Sequence, residues 1–210
     1  MSRFFKTVLA ISVIASFSVF AITSPYRHHQ RPESSYKNSV VRLLCGEGVG
    51  TGTLIDQTRV LTARHVVEGV KDCSAKFVTG KDTPAHVVWV SSTDDLAILQ
   101  IEPTDQATPL PVSCRAPVEG EEIRVIGMPL DVAWFVYTWG HVAGGQFNPK
   151  LNEHDTALLD LTVYPGNSGG PVIDNTGHVI GVLVAMYVAY GVDGMSVMVP
   201  SSVLCAQKDV

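Results

Sequence analysis

A chain of 210 residues that is 46% hydrophobic and 17% charged holds enough apolar material for a sizeable core, and too little charge for a disordered protein. Its formal net charge of -5 excludes the clustered Lys and Arg footprint of a nucleic-acid binder. Seven scattered histidines and four cysteines without close C-x-x-C spacing suggest no metal site, and no cofactor is expected.

In chain order, Arg3 and Lys6 precede an uncharged run from Thr7 to Ile22, the layout of a signal peptide over residues 1–24. A helix of that run rises about 24 Å at ~1.5 Å per residue, short of the ~20 residues a membrane helix needs. Removal after Val19-Phe20-Ala21 is therefore expected, giving a secreted or periplasmic protein; the alternative is a membrane anchor formed by residues 7–22. Residues 25–38 are polar and proline-bearing, and read as a flexible lead-in, with His28-His29 in a solvated segment.

From Ser39 onward, short Val, Ile, Leu and Thr runs alternate with Gly, Pro, Asp and Asn clusters, the pattern of an all-β protein. Strands are expected at Ser39–Leu44, Gly52–Ile55, Arg59–Ala63, Ala75–Thr79, Ala85–Ser91 and Leu96–Ile101. A proline-rich linker follows over residues 102–120. Further strands are expected at Glu122–Met128, Val132–Ala143, Thr156–Leu161, Gly170–Ile173, His178–Ala185 and Met195–Val199, then a short helix within Pro200–Gln207. Six strands, a linker and six strands predict two antiparallel β-barrels, residues 39–101 and 121–200, with a helix and tail over 201–210. A site is expected in the cleft between them.

The strongest chemical signal is Gly166-Asn167-Ser168-Gly169-Gly170-Pro171, a serine among glycines at a turn between strands. A serine hydroxyl needs a base beside it and backbone amides to receive an oxyanion. Gly166 and Ser168 can aim their N–H groups at one point, with Asn167 closing the loop. Taken alone, the motif is equally compatible with a glycine-rich β-turn. Two further features change the balance. His65 ends the apolar strand Val60-Leu61-Thr62-Ala63-Arg64, and Asp95 opens the buried strand Leu96-Ala97-Ile98-Leu99. A carboxylate there is poorly solvated unless an imidazole N–H donates to it, which also fixes the histidine tautomer. Strand alternation places Asp95 inward and its neighbour Asp94 toward solvent.

The chain order His65, Asp95, Ser168, with Leu61-Thr62-Ala63-Arg64-His65, Asp95-Leu96-Ala97-Ile98-Leu99 and Pro165-Gly166-Asn167-Ser168-Gly169-Gly170-Pro171, resembles the three signatures of trypsin-like serine peptidases, nearest the HtrA-like branch. The resemblance covers roughly Ser39 to Gln207 and implies the chymotrypsin-like double barrel. It also implies His65, Asp95 and Ser168 as catalytic triad and an oxyanion hole at Gly166, Asn167 and Ser168. Gly50-Thr51-Gly52-Thr53-Leu54-Ile55 is similar to the family's early Gly-x-Gly strand. The primary pocket is implied along Leu161–Tyr164, Val184–Met186 and Gly194–Val197, with Thr162, Val163, Val184, Ala185, Met186 and Ser196 lining it and Val163 and Val184 narrowing it. Partners are then protein or peptide substrates, with a membrane only if the N-terminal segment is retained.

Departures from the pattern are Arg64, which stands where a smaller residue is usual, and the cysteines. The chain also ends about ten residues past Pro200, so no carboxy-terminal PDZ domain is expected. Because Asn167 and not an acid precedes the nucleophile, activation by a liberated N-terminus is not expected. Four cysteines allow three pairings; the expectation is Cys45–Cys73 within the first barrel and Cys114–Cys205 tying linker to C-terminus. The rivals are a non-catalytic peptide-binding relative and an esterase of the same fold.

Overall fold

The structure is a computed structural model and describes residues 33–78, 80, 82–105, 107–129, 135–147, 156–189 and 192–207. The expected signal peptide and His28-His29 lie outside the described residues. Strands β1 (Val40–Cys45), β2 (Gly48–Leu54), β3 (Arg59–Thr62), β4 (Asp72–Lys76), β5 (Asp82–Val90) and β6 (Ala97–Ile101) close a barrel in the order β1-β2-β3-β6-β5-β4. Strands β7 (Glu122–Gly127), β8 (Val136–Phe147), β9 (Thr156–Leu159), β10 (Pro171–Asp174), β11 (Val179–Ala189) and β12 (Val192–Pro200) close a second in the order β10-β11-β12-β9-β8-β7. Adding six to each strand number of the first circuit reproduces the second, so the two halves repeat one topology. Every pairing within the barrels is antiparallel. A short helix α1 (Ser201–Ala206) follows Pro200.

Inward alternation fills each barrel. Leu43, Leu54, Leu61, Phe77, Leu96 and Leu99 form much of the first core, each burial worth about 1.5–3 kcal/mol. Ile123, Val125, Val142, Leu159, Leu161 and Ile180 fill the second. Val182, Val184, Val197, Val199 and Leu204 turn out of the second barrel and join the first core's cluster, so the barrels share apolar packing. Disulfides join Cys45 to Cys73 and Cys114 to Cys205. Among the described residues no helix is long and apolar enough to cross a membrane.

Three expectations are corrected. The lead-in is not loose to its end: Glu33–Ser39 forms a 3-10 helix whose Tyr36 is buried. Tyr36 clusters with Val40, Leu110, Ile126, Ile173 and Val179. Arg124 lies over its ring, Cζ 5.5 Å from the centroid. Its hydroxyl abuts Gly177, whose φ of 87° and missing side chain leave room for the ring. Second, β4 runs over Asp72–Lys76 and not Ala75–Thr79, because Cys73 and Ala75 supply its inward face with small side chains. Phe77, though fully buried, lies beyond the strand. Third, Asp94 is fully buried. β6 begins only at Ala97, so the alternation that would have turned Asp94 outward does not reach it.

Candidate active site

Strand β3 ends at Thr62, and a 3-10 turn over Arg64–Val67 delivers His65 at its exposed edge, with Val66 and Val67 buried behind it. Asp95 reaches it from the turn before β6. The His65 backbone N–H donates to Asp95 Oδ1 at 2.9 Å, and His65 Nδ1 lies 2.6 Å from Oδ2. One carboxylate therefore fixes both the turn and the ring, and Nε2 is the ring nitrogen it does not engage. The aspartate side chain is 15% exposed and the imidazole 42%. The aspartate is thus held where desolvation strengthens its bonds, while the ring stays reachable. Arg64 sends Nη1 to the carbonyl of Ser91 at 3.2 Å. The residue that departs from the family pattern thereby ties the histidine turn to the turn that carries Asp95.

Asp94 performs a different task. Its N–H donates to Ser91 Oγ at 3.0 Å, its Oδ2 accepts from Thr93 Oγ1 at 2.7 Å, and its carbonyl accepts the Leu96 N–H at 2.9 Å. These bonds set the shape of the turn that points Asp95 at His65.

Ser168 comes from the second barrel, half-buried at the tip of the turn between β9 and β10. The turn is seated directly on the first barrel. Thr51 N–H donates to the Ser168 carbonyl at 2.8 Å, and Thr51 Oγ1 donates to the Gly166 carbonyl at 2.7 Å. Gly169, at φ 85°, makes this approach feasible, since a Cβ there would overlap the Thr51 carbonyl oxygen and Thr62 Oγ1. The Ser168 turn is thus seated on β2 and on the end of β3, the strand that runs into the turn carrying His65. Among the described residues no hydrogen bond joins Ser168 to His65; such bonds commonly tighten only with substrate bound.

Of the three residues assigned to the oxyanion hole, Asn167 is corrected. Its N–H is spent on the Tyr164 carbonyl at 3.0 Å, closing the turn. Its carboxamide is buried against Gly127, with neither polar atom hydrogen-bonded. The N–H groups of Gly166 and Ser168 find no acceptor among the described residues.

Along the expected pocket, residues 162 to 164 alternate out, in, out. Thr162 and Tyr164 are exposed, whereas Val163 is buried in the second-barrel core, a packing position instead of a pocket wall. Val184 is buried against the shared cluster, Ala185 is half-buried and Met186 is exposed. Ser196 is buried with its hydroxyl donated to the Leu161 carbonyl at 2.7 Å, so it supports the pocket segment from behind. Across from Thr162 lies Gly194, where a Cβ would stand in ordinary van der Waals contact with Thr162 Oγ1, at 3.8 Å. Two acids flank the pocket segments along the chain: Asp160, which accepts the His141 N–H and faces β8, and Asp193, directly before Gly194. Sequence reasoning missed Thr51 and Thr62; their one signal was the pair of glycines at Gly50 and Gly52, which lets neighbouring chains close on β2.

Two closed barrels, with a histidine–aspartate pair and a glycine-flanked serine at their junction, define the double-barrel serine peptidase class. Residues 50–182 match the trypsin-like peptidase domain, and the chain belongs to that family. A probable periplasmic serine endoprotease, DegP-like, from Marinomonas sp. is 27% identical over 92% of this chain and 40% of its own. The chloroplastic Protease Do-like 1 of Arabidopsis thaliana is 29% identical over 67% of this chain and 34% of its own. The chain therefore spans well under half the length of these curated relatives. Among solved structures, an HtrA-type protease AlgW with a tripeptide superposes with a TM-score of 0.73 at 25% identity, covering 81% of this chain and 58% of that one. The serine endoprotease from Yersinia pestis superposes at 0.71 with 21% identity, over 82% and 62%, a likeness of fold.

Proposed function

We propose that this chain is an exported serine endopeptidase that cleaves peptide bonds through an acyl-enzyme. Ser168 Oγ attacks the carbonyl carbon while His65 Nε2 takes its proton, and Asp95 holds Nδ1–H and stabilises the imidazolium. The carbonyl oxygen, now an oxyanion, is received by the N–H groups of Gly166 and Ser168. His65 then protonates the leaving amine, and water repeats the sequence to release the acid. The observation that carries this reading is the double grip of Asp95 on His65, through the backbone N–H at 2.9 Å and Nδ1 at 2.6 Å. A histidine kept only for packing has no need of it.

Residues 1–24 serve as the export signal, and the periplasmic description of the Marinomonas relative supports that compartment. Substrates are proteins or peptides, laid along β11 beside Val182–Met186. The pocket segments Leu161–Tyr164, Val184–Met186 and Gly194–Val197 contain no acid or base, so Lys and Arg at the cleaved residue would bury an unpaired charge and are rejected. Small and medium aliphatic side chains are preferred, with shallow discrimination, since one methylene is worth ~1–3 kcal/mol.

The test is fluorophosphonate labelling and casein digestion by the wild type and Ser168→Ala. The wild type should label and digest; the variant should fold, fail to label, and lose about 10⁴ to 10⁶ in rate. Labelling without digestion would point to the esterase rival. Digestion by the variant at the wild-type rate would remove Ser168 from the mechanism. A positional-scanning peptide library reads the pocket, and strong cleavage after Arg or Lys would contradict the preference.

A further inference from the structure

Four consecutive peptide groups make up the nucleophile turn from Pro165 to Gly169, and alternate ones are held at both ends. The Gly166–Asn167 peptide gives its N–H to the Tyr164 carbonyl at 3.0 Å and receives Thr51 Oγ1 on its oxygen at 2.7 Å. The Ser168–Gly169 peptide gives its N–H to the Leu183 carbonyl at 2.7 Å and receives the Thr51 N–H at 2.8 Å. The Asn167–Ser168 peptide lies between them and the Pro165–Gly166 peptide directly before them, and these two carry the N–H groups assigned to the oxyanion. Because each peptide is planar, fixing these planes limits how the peptides adjoining them can turn.

Both carbonyl holds come from one residue. Any residue on β2 except proline would supply the backbone N–H, but only a hydroxyl supplies the bond to Gly166. That hydroxyl is itself aimed: it accepts the Met128 N–H at 3.0 Å, so its single proton is committed to the Gly166 oxygen. Thr62 Oγ1 donates to the Thr51 carbonyl at 2.7 Å and keeps the residue in place. Thr51 and Thr62 are both fully buried, so water does not compete for these bonds. Gly166 sits at φ 96°, and as a glycine it reaches other backbone conformations at little cost. The turn therefore needs an outside hold at this point.

We infer that Thr51 is a positioning residue for the oxyanion hole: its hydroxyl locks the Gly166–Asn167 peptide so that the Gly166 N–H stays turned toward the reacting carbonyl oxygen. The inference rests on Ser168 being the nucleophile. A purely structural hydroxyl, serving only to satisfy two buried backbone groups, would lower thermal stability when removed and leave rate constants alone at temperatures well below unfolding.

The experiment compares wild type with Thr51→Val, which keeps shape and loses the hydroxyl, Thr51→Ser, which keeps it, and Thr51→Cys, which offers a weaker donor. For each, kcat and KM are measured on a fluorogenic peptide. Inhibition by a peptidyl trifluoromethyl ketone, whose adduct places an oxyanion in the hole, is measured alongside the thermal midpoint. Outright loss of an oxyanion donor costs about 10²–10³ in kcat; loss of its orientation should cost part of that, about 10- to 100-fold. Thr51→Val should show this fall in kcat, an equal weakening of the ketone, and KM within about twofold, with Ser restored and Cys between. A Val variant that keeps kcat and ketone affinity within about twofold, whatever its midpoint, overturns the inference, as does a Ser variant that fails to restore. If the Val variant does not fold, equal kcat in the Cys and Ser variants overturns it as well. A wild type that takes no fluorophosphonate would fail the peptidase reading itself, and the inference with it.

Discussion

Asp94 and Asp95 are adjacent acids with separate tasks. Asp95 presents both oxygens to His65, whereas Asp94 is buried in the bonds that shape the turn beneath it. In Asp95→Asn one amide oxygen can still accept the His65 N–H, but the NH₂ can only donate to Nδ1 and forces the wrong tautomer. We expect kcat to fall about 10⁴-fold with the thermal midpoint nearly unchanged, measured by peptide turnover and circular dichroism melts; a loss under tenfold would show that Asp95 does not orient the base. The three residues proposed as a triad could be picked out of the sequence because each stands in a local motif, and the structure pairs two of them, His65 and Asp95. The alternation that placed Asp95 correctly failed for Asp94, since both lie in a bend before the strand. Thr51 was illegible for another reason: its partner Gly166 is 115 residues away, and nothing local records such a bond.

At the scale of elements, the turn joining β10 to β11 is built around Asp174. Its Oδ1 accepts from Thr176 N at 2.9 Å, Thr176 Oγ1 at 2.7 Å and His178 N at 2.9 Å, and its Oδ2 accepts Arg115 Nη2 at 2.9 Å. Burial alone would raise this carboxyl, but the bonds from Thr176, His178 and Arg115 outweigh it and hold Asp174 below the ordinary carboxylate value. A depressed folded-state pKa adds stability that is present above the unfolded value of about 3.9 and is lost as pH falls through the folded one. The wild-type midpoint should therefore drop steeply below about pH 4. Asp174→Asn should be less stable at neutral pH by about 2–3 kcal/mol and show a shallower acid limb. Parallel acid limbs in melts from pH 2 to 7 would contradict this. Strand existence was legible throughout, because Val, Ile and Leu runs bounded by turn residues leave little choice. Strand ends were less so: β4 carries its inward face on Cys73 and Ala75, too small to register as an apolar run, while Phe77 drew the expected strand past its end.

Across the whole molecule, the disulfides close loops of 28 and 91 residues. The chain-entropy account gives each about 3–5 kcal/mol, so reduction should lower the denaturation midpoint markedly in urea titrations with and without dithiothreitol. A reduced protein with an unchanged midpoint would show that the bridges contribute nothing to the fold. The count of six strands, a linker and six strands made the double barrel legible, but the way the halves are fastened was not, because the fastening joins distant residues. Tyr36 and Val40, where the chain enters the first barrel, share one cluster with Leu110, where it has just left, and with Ile126, Ile173 and Val179 of the second barrel. Beyond Leu110, Val112 bridges to Val179. In mechanical terms the first barrel is a loop clipped shut at its neck, with both legs pinned at neighbouring points on the second. A single linker would let the barrels swing like a door; two pinned legs resist that swing, so the gap between the barrels keeps a nearly fixed width.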